Sequence, residues 1–88
     1  MIYEVKIKRK LERSLTKLPM FIQKKFLRLV LDLRDNGPEQ PSWPNYSKLG
    51  SKEYHCHLGY SWVACWKHEK STIIIEVYYV GSREKAPY

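Results

Sequence analysis

The chain is 88 residues long, with 16 Lys and Arg against 9 Asp and Glu, a formal charge of +7, and two cysteines. That length leaves no room for two cores, so one domain over residues 1–88 is expected, with roughly 60–65% of the unfolded surface buried on folding. No run approaches the ~20 apolar residues of a membrane span, and the first residues lack the apolar stretch of a secretory leader. A cytoplasmic protein with reduced thiols and no membrane partner is therefore expected. The positive charge favours a polyanion, or an acidic protein that mimics one.

In chain order, Ile2 to Lys8 alternates Tyr3, Val5 and Ile7 with Glu4, Lys6 and Lys8, which predicts a half-buried first strand. Leu11, Leu15 and Leu18 recur at helical spacing and place a first helix over roughly 9–17. Pro19 separates it from a second, over roughly 19–35, in which Ile22, Phe26, Leu29, Val30 and Leu33 form one apolar stripe. Asn36-Gly37-Pro38 stops that helix. The short join makes the two helices an antiparallel hairpin. Glu39 to Gly50, with Pro41, Pro44, Asn45 and Ser47, reads as a loop ordered by Trp43 and Tyr46. Three strands follow, at about 52–58, 60–67 and 72–80, parted by Gly59 and by His68-Glu69-Lys70. The order β-α-α-β-β-β predicts an α+β fold: a four-stranded antiparallel sheet with the first strand beside the last. The helical hairpin would cover one face and leave the other concave and basic.

Within the first of these three strands, His55 and His57 are two residues apart and so share a face, while Tyr54, Cys56 and Leu58 point to the core. Two imidazoles titrating near neutrality are what RNA cleavage by its own 2′-OH requires, one to take a proton and one to give it. Two solvent-facing strand residues would show the same spacing. A zinc site of His55, His57 and Cys65 is another reading, but it lacks an evident fourth ligand. More simply, Cys56 and Cys65 are small strand residues. Arg83 follows Gly81-Ser82 at the exit from the last strand, where a guanidinium could hold a phosphate and stabilise a phosphorane. Tyr88 follows Ala86-Pro87, and its phenol could stack on a base or handle a proton. Lys6, Lys8, Lys48 and Lys52 belong to a larger set of cations that attract phosphate diffusely.

These segments resemble the RelE/ParE superfamily of toxin–antitoxin proteins. The similarity covers nearly the whole chain as element order. It is most specific in Lys48-Leu49-Gly50, Tyr54-His55-Cys56-His57-Leu58, Gly59-Tyr60 and Val80-Gly81-Ser82-Arg83, with Tyr88 beyond. RelE-type toxins carry two RNA-facing lysines where this chain has His55 and His57, an arginine matching Arg83 and an aromatic residue matching Tyr88. They usually read Gly-Tyr-Arg where this chain reads Gly59-Tyr60-Ser61, so a phosphate-binding arginine is replaced by serine.

The resemblance implies a toxin that inhibits translation as a ribosome-dependent endoribonuclease, leaving a 2′,3′-cyclic phosphate and a 5′-hydroxyl. His55, His57, Arg83 and Tyr88 would be catalytic, and Lys6, Lys8, Lys48, Lys52 and Ser61 would bind RNA, with no cofactor or metal. The implied partners are mRNA, the ribosome and a cognate antitoxin in a heteromeric complex. Two alternatives stand beside it: a ParE-like inhibitor of DNA gyrase, and an RNA- or ribosome-binding module without activity.

Overall fold

A computed structural model of the protein describes residues 2–88. Strand β1 (Glu4–Ile7) leads through a 3-10 turn, Arg9–Leu11, into helix α1 (Glu12–Lys17) and then helix α2 (Met20–Asn36). Strands β2 (Ser47–Lys48), β3 (Glu53–Gly59), β4 (Trp62–His68) and β5 (Ile74–Ser82) complete the sheet, and a second 3-10 turn, Arg83–Lys85, follows it.

The sheet has five strands in the order β1-β5-β4-β3-β2, not four, and it is mixed rather than antiparallel. The additional strand, β2, lies inside the segment expected to be loop, so the element order also changes. It pairs Ser47 with His55 and Lys48 with Tyr54. Two residues between Pro44 and Gly50 are too short to show alternation, and only their partner strand makes them β. Strand β1 runs parallel to β5, with Val5 opposite Ile75. Direction relative to a distant partner is set by the helical crossover and leaves no trace in a strand's own pattern.

The stripe on α2 is where its spacing places it: Ile22, Phe26, Leu29 and Leu33 are buried against the sheet, in one cluster with Tyr54, Cys56, Leu58, Ala64, Trp66, Ile75, Val77 and Val80. The first helical segment is divided, residues 9–11 winding as 3-10 and α1 spanning only six residues. Leu11 and Leu18 are nonetheless buried. Pro19 caps α2 at its N-terminus, and Gly37 ends it with φ +93°, a left-handed conformation that suits glycine. A Cβ there would also lie 3.0 Å from the Tyr3 ring.

The loop after α2 is anchored from within. Buried Gln40 donates its amide to the carbonyls of Asp32 and Gly37, Trp43 donates its indole N–H to Asp32, and Trp66 donates to the Pro38 carbonyl. A bulge in β5 then decides which side chains face where. Cys65 pairs with Tyr79 but Trp66 pairs with Val77, leaving Tyr78 as the extra residue. Ile75, Val77 and Val80 therefore all reach the core, although strict alternation would turn Val80 away.

The face opposite the helices is not open at its centre. Val63 and Cys65, which pair with His57 and His55, are fully buried there, and Tyr88 returns to pack on the adjoining His55 ring. No helix among the described residues is long and apolar enough to cross a membrane.

Candidate active site

Strand β3 carries His55 and His57 on the face away from the helices, their ring centroids 5.9 Å apart. Each is met by a polar partner from the loop that precedes it. Ser47 Oγ is 3.0 Å from Nδ1 of His55, and Nδ2 of Asn45 is 3.3 Å from Nδ1 of His57. The loop is held against β3 by the β2 pairing and by the His57 N–H, which donates to the Pro44 carbonyl over 2.8 Å. Asn45 adopts a left-handed backbone, φ 53°, of the kind asparagine tolerates. Asn45-x-Ser47 is therefore the antiparallel complement of His55-x-His57. That matched spacing is a signal in the sequence that treating the segment as plain loop overlooks.

The two histidines differ in access. His55 is 9% exposed and lies under Tyr88, ring centroids 4.5 Å apart. His57 is half-buried and opens into a cleft of about 410 Å3 bounded by Phe21 and Lys25 of α2, Pro44 and Asn45, Leu58, Gly59 and Tyr60, and Arg83. Burial pulls both imidazoles below the ordinary value of 6.5. At His55 the Ser47 contact opposes that shift and His57 adds to it. At His57 the Arg83 charge adds to it. The Tyr88 phenol moves the other way, raised above 10.0 by burial and restrained by Arg83. At neutral pH the site thus holds two uncharged imidazoles, a protonated phenol and one guanidinium.

The orientation of the Asn45 amide and the tautomer of His57 are linked. When its amide N–H donates to Nδ1, Nε2 carries the ring proton and can only donate. With the amide turned over, Oδ1 accepts from Nδ1–H and Nε2 becomes a base.

Arg83 is placed by its neighbours on the chain. The last strand continues through Gly81 and Ser82 rather than ending at the glycine. A Cβ at Gly81 would lie 2.9 Å from the Tyr79 hydroxyl, which donates to the Ser82 carbonyl over 2.7 Å. The Arg83 N–H then donates to the Ser61 carbonyl over 2.8 Å, and its guanidinium lies 5.4 Å from the centre of the Tyr60 ring. Ser61 sits in the two-residue turn between β3 and β4, and Val63 is the β4 residue opposite His57.

His55, His57, Arg83 and Tyr88 are thus brought together, with Ser61 beside them through its main chain. The lysines are not. Lys48 points to the helix side of the sheet, 5.8 Å from the Tyr54 ring and 3.9 Å from a Glu39 oxygen. Lys52 pairs with Glu69 beyond the far end of β3. Lys6 pairs with Glu4 on β1, three strands and about 14 Å from β3. Lys8 follows β1, its N–H donating to Val77. Cys65 and Cys56 are buried free thiols, and among the described residues no three His, Cys, Asp or Glu side chains gather as metal ligands would.

No family-level sequence pattern matches this chain, and no characterised protein sequence does. Solved structures do. The archaeal RelE–RelB complex from Pyrococcus horikoshii OT3 contains a chain similar over 98% of this one and 100% of its own length, with a TM-score of 0.77 and 19% identity. A double arginine-to-alanine mutant of E. coli toxin RelE in the free state is similar over 98% and 88% of the two chains, with a TM-score of 0.74 and 13% identity. The YoeB–YefM complex from Staphylococcus aureus is similar over 94% and 99%, with a TM-score of 0.68 and 12% identity. The protein has the fold of a RelE-like toxin.

Proposed function

We propose that the protein is the toxin of a toxin–antitoxin pair and cleaves mRNA on the ribosome. The observation that carries this reading is the convergence of His57 and Arg83 on one cleft, with His55 and Tyr88 packed ring to ring beside it. With the Asn45 amide turned so that its Oδ1 accepts from Nδ1–H, uncharged His57 takes the proton from a ribose 2′-OH on Nε2. The 2′-oxygen bonds to the adjacent phosphorus and the bond to the 5′-oxygen breaks, giving a 2′,3′-cyclic phosphate and a 5′-hydroxyl. Arg83 neutralises charge that builds on the non-bridging oxygens. Because burial keeps both imidazoles uncharged at neutral pH, neither is the standing acid. The Tyr88 phenol, which stays protonated, supplies the proton to the leaving 5′-oxygen.

The partner that silences such a protein would meet its +7 charge with acidic side chains. Two of the similar structures are complexes, RelE with RelB and YoeB with YefM, and that likeness supports an antitoxin as this chain's partner. Titration with an acidic candidate should give binding that weakens as salt rises.

The purified protein, added to ribosomes programmed with a defined mRNA, should cut it and leave the two end groups named above. Cleavage should persist with chelator present, provided magnesium is in excess to keep ribosomes intact. Intact mRNA together with inhibition of gyrase supercoiling would replace this reading by the ParE-like one.

A further inference from the structure

The proton transfers leave two walls of the cleft unused. Phe21, on the first turn of α2, is 63% exposed, and Tyr60, at the tip of the β3–β4 turn, is 85% exposed. Single exposed apolar side chains are ordinary, but these two aromatic rings line one cleft together. Nothing in the core needs either ring, since the buried face of α2 begins at Ile22.

The turn is brought to the helix by a missing side chain. A Cβ on Gly59 would lie 2.9 Å from Ile22 Cδ1, so the missing side chain lets the turn approach α2 without displacing that methyl. Ile22 adjoins Phe21 and Gly59 adjoins Tyr60, and the contact makes the two rings walls of one cleft. Arg83 covers one face of Tyr60 at 5.4 Å, which orients the ring and sets a phosphate-binding cation beside it. Lys25, one turn along α2 from Phe21, adds a second cation to the lining of the cleft. The volume, about 410 Å3, lies at the small end of the range for ligand sites.

We propose that this cleft is a base-stacking subsite for single-stranded RNA, in which Phe21 and Tyr60 receive the face of a nucleobase adjoining the phosphate held by Arg83. The proposal rests on the mRNA-cleavage reading and adds to it where the substrate's base is held. Stacking on aromatic faces accepts any base, so the subsite should confer affinity and register with little base preference.

The test is cleavage on programmed ribosomes by the parent, Phe21→Leu and Tyr60→Leu. Each acts on intact mRNA and on mRNA bearing one abasic nucleotide on either side of the scissile bond. Each leucine variant should lose about 5- to 150-fold on intact mRNA, the range for removing one aromatic stack. The abasic substitution should lower the parent to the variants' level and cost the variants nothing further. Phe21→Trp and Tyr60→Phe, which keep a ring, should retain activity, and they serve if a leucine variant does not fold. Leucine variants as active as the parent, or losses that multiply with the abasic substitution, would overturn the subsite while leaving the cleavage reading in place. A parent that cuts no mRNA would remove both.

Discussion

The backbone N–H of Arg83 donates to the carbonyl of Ser61 across 2.8 Å, tying the turn after β5 to the turn between β3 and β4. The serine that stands where RelE-type toxins usually carry an arginine therefore contributes main chain rather than side chain. It fixes where the remaining arginine begins.

A substitution at that position should keep the tie, because the acceptor is a main-chain carbonyl that every residue carries. The Ser61 side chain is exposed, so Ser61→Arg should fold as the parent does and add a cation beside Arg83. Affinity for RNA on the ribosome should rise, and the slope of log affinity against log salt should steepen by about 0.7, the contribution of one further phosphate contact on a single strand. An unchanged slope would mean that the turn does not face phosphate.

The opposite displacements of imidazole and phenol fix a pH profile. Accepting a proton requires uncharged His57, so the rate should rise with pH through a midpoint below 6.5, because burial and Arg83 disfavour the charged ring. Tyr88 stays protonated until above 10.0, so the rate should then hold level across neutrality. Asn45→Asp should move the acid limb upward, since a carboxylate beside Nδ1 favours imidazolium. A narrow bell near neutrality, unaltered by Tyr88→Phe, would show that the two histidines exchange the proton between themselves.

The same displacements bear on stability. His55 and His57 have folded-state values below the ordinary 6.5, so below that pH the unfolded chain binds more protons than the folded one. Their contribution is fully present above 6.5 and is lost as pH falls through the folded-state values. The urea midpoint of the parent should drop more between about pH 7 and about pH 5 than that of His55→Gln/His57→Gln. Equal drops would place the acid sensitivity on other groups.

Burial pushes both cysteine thiols up to about 12; Cys65 adds a smaller rise at Cys56, and at Cys65 Glu53 adds a rise that a Tyr78 contact opposes. The reactive thiolate is then scarce at neutral pH. Labelling with a disulfide reagent should proceed only as fast as the protein opens, and should quicken sharply in denaturant. Fast labelling of the native protein would contradict the packing of β3 and β4.

Much of this was legible in the residues. The α2 stripe spans enough turns for its period to stand out, and the same-face placement of His55 and His57 follows from a strand's period of two. Less legible was whatever depends on a partner strand. The strand character of Ser47 and Lys48 exists only opposite His55 and Tyr54, and it turns Lys48 away from the site where charge alone would have put it. The extra residue at Tyr78 changes which side chains of β5 reach the core, and no property of Tyr78 itself announces it. The return of Tyr88 over His55 is a tertiary contact between segments far apart in sequence.

The most direct test compares the parent with His55→Ala/His57→Ala in single-turnover cleavage of mRNA on programmed ribosomes. The expected result is a loss on the order of 10²–10⁴ in rate, with fold and ribosome binding retained. A double variant that cuts as fast as the parent, or remains as toxic when expressed in cells, would contradict the assignment of this cleft as the catalytic centre.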